Sequence, residues 1–179
     1  MSTVIYTAAM SLDGFIAGPG GDMSWLTPHM GPDPEIDEMQ QGLGALLVGN
    51  RSYGGDDPNR GTDAEGAFDG TWAGPVVVVT HRPPADPVAG IEFAGSVTDG
   101  LAAALAAAGG KDVAVLGADI ARQLVEAGAL DEVLVTIVPV LLGGGTRLFD
   151  RPDGPPVQLE RTRVATVPHA VNLWFRVLH

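Results

Sequence analysis

Five short apolar runs limit what this chain can fold into: VIYTAAM at 4–10, ALLVG at 45–49, VVVVT at 76–80, VAVLG at 113–117 and VLVTIV at 133–138. They are rich in β-branched residues, and several do not alternate apolar with polar. That is the pattern of strands covered on both faces in a mostly parallel sheet. Helical segments lie between them. In TDGLAAALAAAGG, Thr98 or Asp99 can cap the start, Leu101 and Leu105 share a face, and Gly109-Gly110 stop the helix. In ADIARQLVEAG, Ile120 and Leu124 are one turn apart, Arg122, Gln123 and Glu126 can face water, and Gly128 sits where a left-handed C-terminal residue is wanted. The alternation predicts an α/β fold.

The last third changes character. VQLERTRVAT and AVNLWFRVLH alternate like antiparallel strands on either side of Pro168-His169. A parallel sheet with an antiparallel C-terminal edge is therefore expected. Segments 17–34 and 54–74, rich in Gly, Pro and Asp, read as loops, and long loops in a compact domain often hold ligands. No linker or repeat divides residues 1–179, so a single domain is expected. A chain of that length buries roughly 70% of its unfolded surface.

Charge and composition exclude several classes of function. A formal charge of -12 and a pI near 4.4 argue against a nucleic-acid or anionic-membrane surface, which needs clustered Lys and Arg. The only lysine is Lys111, and no basic residue precedes Arg51, so the amino terminus lacks the positive start of a secretory signal. No apolar stretch is long enough to cross a bilayer, and a cytoplasmic location is expected. The absence of cysteine removes disulfides, thiolate nucleophiles and Cys-ligated zinc. His29, His81, His169 and His179 form no i, i+4 pair, so no metal site is expected.

Ligands of open α/β sheets bind beyond the carboxyl ends of the strands, and three such ends carry small or cationic residues. They are Gly49-Asn50-Arg51-Ser52, Thr80-His81-Arg82 and Gly117-Ala118-Asp119. At the third, a strand runs into a helix amino terminus whose N–H groups suit a phosphate. Arg51 or Arg82 can add charge-assisted bonds to another. Taken singly, each is an ordinary turn or packing residue; together, at successive strand ends, they point to a nucleotide. Neither G-x-G-x-x-G nor a Walker A motif is present, GGGT at 143–146 lacks the P-loop lysine, and no G-x-S-x-G elbow supports a serine hydrolase. Asp13-Gly14 is a turn signal that also places a carboxylate at a strand end, where it can accept hydrogen bonds from a substrate. Trp25 reads either as a lid or stacking residue or as an ordinary core tryptophan.

SLDGFIAG, GDMSWL, LLVGNRSY, VVVVTHRPP, VAVLGADIARQLVEAGALDEV and VPVLLGGGTRLF occur in the order seen in the dihydrofolate reductase-like family. Within it the chain resembles the reductase domain of the bifunctional riboflavin-biosynthesis deaminase-reductases and their stand-alone bacterial relatives, from about Val4 to Val177. The resemblance implies a mostly parallel eight-stranded sheet flanked by helices, NADPH bound across the strand ends, and a homodimer. It implies hydride transfer to a small polar heterocycle or sugar carbonyl, as in 5-amino-6-(5-phosphoribosylamino)uracil reduction. Under it, Gly49, Arg51 and Ser52 match a phosphate-binding turn, and Thr80, His81 and Arg82 the segment beside the adenosine phosphate. Gly117, Ala118, Asp119 and Ile120 match the pyrophosphate-binding helix start, and Asp13 with Gly14 the turn bordering nicotinamide and substrate, where Asp13 would orient substrate or handle a proton.

Departures from the family pattern fall at the same places. Asn50 and Ser52 stand where Arg and Thr are common, Ala118 stands for a second glycine, and Asp119 adds a negative charge near the expected pyrophosphate. True dihydrofolate reductases place an acid shortly after Trp-x-x-Pro; in WLTPHM that position is Met30, so folate reduction requires Asp13 or a carboxylate of DPEIDE instead. The zinc deaminase is excluded from this chain, since its cysteine ligands are absent. Pterin or folate reduction, and a non-catalytic module binding a nucleotide or flavin, remain the alternatives.

Overall fold

The computed structural model describes residues 2–86 and 88–179. Strand β1 (Val4–Ser11) turns at Asp13-Gly14 into β2 (Phe15–Ala17); two short 3-10 turns then lead to α1 (Pro34–Gly42) and β3 (Leu43–Gly49). A single helical turn, α2 (Asn50–Tyr53), opens the long loop to β4 (Val76–Val79), which is followed by β5 (Ile91–Ala94), α3 (Val97–Ala108), β6 (Asp112–Leu116) and α4 (Ala118–Glu126). The chain ends with β7 (Glu132–Val138), β8 (Thr146–Arg147) and the hairpin of β9 (Leu159–Val167) and β10 (Ala170–Val177).

Eight strands make one sheet in the order β5-β4-β3-β6-β1-β7-β10-β9, while β2 and β8 form a small separate pair. Every pairing from β5 across to β7 is parallel; β10 joins β7 and β9 joins β10 in antiparallel register. The five apolar runs lie on β1, β3, β4, β6 and β7, and the two alternating runs on β9 and β10. The fold is therefore the mostly parallel, eight-stranded α/β sheet with an antiparallel C-terminal edge that the sequence predicts.

The missing alternation has a direct cause. One face of the sheet, with Tyr6, Leu47, Val77, Val113 and Val115, packs under α3 and α4. The other, with Ile5, Leu46, Val78, Ala114 and Leu134, is covered by Met39 of α1 and by Phe68, Trp72 and Trp174. Consecutive residues such as Leu46 and Leu47 thus enter different cores, and both are wholly buried. Each such leucine contributes about 1.5–3 kcal/mol relative to exposure. VLVTIV is an interior strand, paired on both edges.

Some local readings need correction. The cap of α3 is Ser96, not Thr98 or Asp99: its hydroxyl accepts from the Asp99 N–H at 3.1 Å and donates to the Asp99 carboxylate at 2.7 Å, a reciprocal cap one turn deep. Strand β5 is an additional edge strand with a largely half-exposed pattern, too short to stand out. Helix α1 buries only Met39, so its apolar stripe is narrow; Asp33 starts it by accepting from the Glu35 N–H. The stops at Gly109 and Gly128 hold, with φ of 61° and 65°.

The sheet meets α3 most tightly at Gly44, where an added Cβ would stand 2.3 Å from the Ala108 carbonyl oxygen. That neighbour is backbone and cannot swing aside. Gly44→Ala is expected to cost about 1–3 kcal/mol in chemical denaturation, as overpacking does. Gly42→Ala, at the last residue of α1 with its nearest atom 3.7 Å away, is expected to leave stability unchanged or raise it by about 0.5–1 kcal/mol.

Candidate active site

The carboxyl ends of β4, β3 and β6 lie side by side because parallel register leaves them level: Gly49 pairs with Val79, and Val48 with Leu116. Each of the three turns identified in the sequence begins where one of these strands stops. They form one row in space: Thr80, His81 and Arg82 beyond β4, Gly49 to Ser52 beyond β3, and Gly117 to Ile120 beyond β6.

The middle and last members of the row are in contact. A Cβ on Gly117 would stand 3.0 Å from Ser52 Oγ and 3.6 Å from Gly49 Cα, and one on Gly49 would stand 3.1 Å from Ile120 Cγ1. Gly117 also adopts φ 121°, ψ 127°, a backbone shape that suits glycine. Helix α4 has no side-chain cap, and its first internal bond runs from the Ala121 N–H to the Gly117 carbonyl. The N–H groups of Ala118, Asp119 and Ile120 are thereby left at the positive end of the helix dipole. Ala118 is accommodated at the first position of α4, so a second glycine is not needed for the helix to start there.

The charge that Asp119 adds is handled locally. Its carboxylate accepts from Arg122 at 2.8 Å and from Gln123 at 2.8 Å, both on its own helix. The bond from Arg122 leads in holding its pKa below the ordinary value, and Arg51 adds a weaker attraction. Arg51 and Arg82 are exposed and make no ion pair among the described residues. Thr80 differs from its neighbours: it is buried, and its hydroxyl accepts from the Arg82 N–H at 3.1 Å, shaping the turn that presents His81 and Arg82.

Asp13 stands apart from this row. Strand β1 is paired with β6 only as far as Tyr6 and runs on with β7 to Ser11. Its carboxylate accepts from the Ser11 hydroxyl at 2.6 Å, the Leu142 N–H at 3.0 Å and the Gly143 N–H at 2.7 Å. These bonds, led by that of Ser11, lower its pKa to about 2. These bonds favour the ionised carboxylate, and they fasten the glycine loop after β7 to the turn after β1.

Two elements of the region were not singled out in the sequence. Arg147, on β8, lies 4.8 Å over the Phe15 ring, and the next residue, Leu148, donates its N–H to the Gly14 carbonyl at 3.0 Å. A third cation without an ion pair among the described residues thus borders the Asp13 turn. The other is Asn172, wholly buried and bonded to Asp33, one of the DPEIDE carboxylates that the sequence offers. Trp25 is half-buried, with its indole N–H buried and unpartnered among the described residues. A concavity of about 750 Å³ lies at the opposite, amino ends of the strands, beside Leu43, Gly44 and Lys111. It is broadly open and its lining holds one cation, Lys111, beside the acidic Asp37, so the carboxyl-end row with Arg51 and Arg82 is the better candidate.

An open, mostly parallel α/β sheet with an antiparallel C-terminal edge defines the class: a dihydrofolate reductase-like fold. The model of the RibD C-terminal domain matches residues 2–173, and the chain belongs to that family. Among solved structures, it is similar to a putative riboflavin biosynthesis protein from Shewanella sp. PV-4, with 22% identity, TM-score 0.77 and 99% of each chain covered. It is similar to the diaminohydroxyphosphoribosylaminopyrimidine deaminase/5-amino-6-(5-phosphoribosylamino)uracil reductase of Thermotoga maritima, with 19% identity and TM-score 0.65, covering 99% of this chain but 57% of that one. Dihydrofolate reductase from Enterococcus faecalis, complexed with NADP(H), has 18% identity and TM-score 0.61, with 98% of this chain and 96% of that chain covered. A sequence comparison with curated proteins finds no match.

The Asp13 bonds carry a pH signature. Because the folded pKa lies below the ordinary 3.8, their contribution is present above that value and is lost as pH falls through the folded one. The difference in urea midpoint between the wild type and Asp13→Asn is expected to be constant from about pH 5 to 8 and to shrink between about pH 4 and 2.

Proposed function

We propose that this chain is an NADPH-dependent reductase of the riboflavin-biosynthesis type, transferring hydride to a small polar heterocycle or sugar carbonyl. The observation that carries the reading is the meeting of Gly49, Ser52 and Gly117 beneath the unpaired N–H groups of α4. A side chain on Gly117 would crowd Ser52, so the cradle exists because that position is bare. Arg51 and Arg82 flank it with charge available for further phosphate oxygens, and His81 stands between Thr80 and Arg82 in the same turn.

When bound, NADPH supplies the hydride; the residues of the chain bind and orient. The amides of Ala118 to Ile120 hold the pyrophosphate, Ser52 donates its hydroxyl to a neighbouring phosphate oxygen, and Arg51 and Arg82 take the adenosine-side phosphate. Asp13 acts as a positioning residue that fixes the glycine loop beside the reacting end. Family membership and fold support this assignment, as does the likeness to a T. maritima protein named as a uracil reductase. A homodimer and a cytoplasmic location belong to the same proposal; β7, paired on both edges, is not available for strand addition between protomers.

One observation favours a second reading, pterin or folate reduction. Such a reaction requires a carboxylate in place of Met30, and Asp33 provides a buried one at the head of α1. The two readings separate on the acceptor: loss of the reduced-nicotinamide absorbance with 5-amino-6-(5-phosphoribosylamino)uracil supports the first, and with dihydrofolate the second. Binding of NADPH without turnover of either supports a non-catalytic module.

The cofactor site is tested by fluorescence titration. Arg51→Ala is expected to weaken NADPH binding by about 1.5–3 kcal/mol, a tenfold to hundredfold rise in Kd, as the loss of a charge-assisted bond does. An unchanged Kd removes Arg51 from the site and assigns its part to Arg82.

A further inference from the structure

The Asp33 carboxylate is 8% exposed, Asn172 is fully buried, and neither belongs to the row of phosphate-binding turns. Asn172 Nδ2 lies 2.9 Å from Asp33 Oδ1 and 2.8 Å from Oδ2, while Asn172 Oδ1 accepts from the Thr136 hydroxyl at 2.6 Å. Thr136 and Asn172 face each other on the neighbouring strands β7 and β10. The hydroxyl engages the amide oxygen, so the amide nitrogen is turned to the carboxylate. Asp33 also accepts from the Glu35 N–H at 3.0 Å and makes no ion pair among the described residues. As the cap of α1 the carboxylate is favoured by the positive end of that helix, and Asn172 is not needed to start it. The two further bonds to a residue 139 positions away therefore point to a role in placing the chain that leads into α1.

That role follows from what Asp33 terminates. Segment 18–33 leaves β2 beside the Asp13 turn and returns to the sheet at Asp33. On one side it is fastened near α2, where the Met23 N–H donates to Asp56 at 3.1 Å. On the other it passes the β9–β10 turn so closely that a Cβ on Gly31 would stand 3.1 Å from His169. It thus spans from a contact with Asp56, beyond α2, to the β9–β10 turn, and on the proposed reductase reading it is the wall next to the reacting end of the site. We propose that Asn172, oriented by Thr136, is a positioning residue that sets this wall through Asp33 and so governs the acceptor side of the site independently of the cofactor side. The inference rests on the proposed reductase reading only in taking that wall as the acceptor's.

The test uses the full chain with Thr136→Val, which removes only the orienting hydroxyl, Thr136→Ser, which restores it, and Asn172→Leu. Thr136→Val stands alone if Asn172→Leu fails to fold. Amide hydrogen exchange in segment 18–42 is expected to quicken about tenfold in Thr136→Val and to return near wild type in Thr136→Ser, with NADPH Kd changed by less than about twofold. For whichever acceptor the wild type reduces, uracil compound or dihydrofolate, KM is expected to rise in the same variants. Unchanged exchange in 18–42, a uniform quickening throughout the sheet, or a parallel loss of NADPH affinity overturns the inference. A wild type that binds no NADPH contradicts the reductase reading, while the exchange measurement still decides whether Asn172 sets the wall.

Discussion

Parallel hydrogen bonding across β4, β3 and β6 is the constraint on which the site depends, because strands running the same way must stop on the same side. Their three following turns then stand in one row without any side chain having to place them. Register does the rest: Gly49 level with Val79, and Val48 with Leu116, bring the turns close enough for Ser52 to touch the space above Gly117. A slip of one residue in β3 would exchange Leu46 and Leu47 between two packed cores. Apolar burial on both faces therefore fixes the register, and the register fixes the site.

Charge at the same rim is settled locally. In a chain with formal charge -12, Arg51, Arg82 and Arg147 make no ion pair among the described residues, as is also true of Arg60, Lys111 and Arg161, while Arg122, Arg163 and Arg176 are tied to carboxylates. The acids that do stand near the rim are satisfied by close partners. Asp119 is held by Arg122 and Gln123, and Asp13 by a hydroxyl and two main-chain N–H groups. A multiply anionic ligand approaching the rim thus meets guanidinium groups and bare amides, and carboxylates whose charge is already engaged.

What the sequence reveals is what neighbouring residues decide. The buried strands, the stops at Gly109 and Gly128 and the three turns that follow β3, β4 and β6 each depend on a few consecutive residues, and all are where the residues predict. The misplaced cap of α3 is also local: Ser96 precedes Thr98 and Asp99, and a serine with an acid three residues on is itself a start signal. The partners that escape prediction are far apart in the chain. Asp33 and Asn172 are separated by 139 positions, and Asp13 and Leu142 by 129. Nothing local marks an aspartate that grips a distant loop, which is why the bonds of Asp13 to Leu142 and Gly143 are not legible in the sequence.

The central claim is that NADPH lies along the carboxyl-end row. Amide chemical-shift mapping during an NADPH titration of the labelled chain tests it most directly. The account predicts the largest changes at Asn50 to Tyr53, His81 to Arg82 and Ala118 to Ile120, spreading toward Asp13-Gly14. Changes centred instead on Leu43, Gly44 and Lys111 at the amino ends of the strands, or no changes at saturating NADPH, would contradict it.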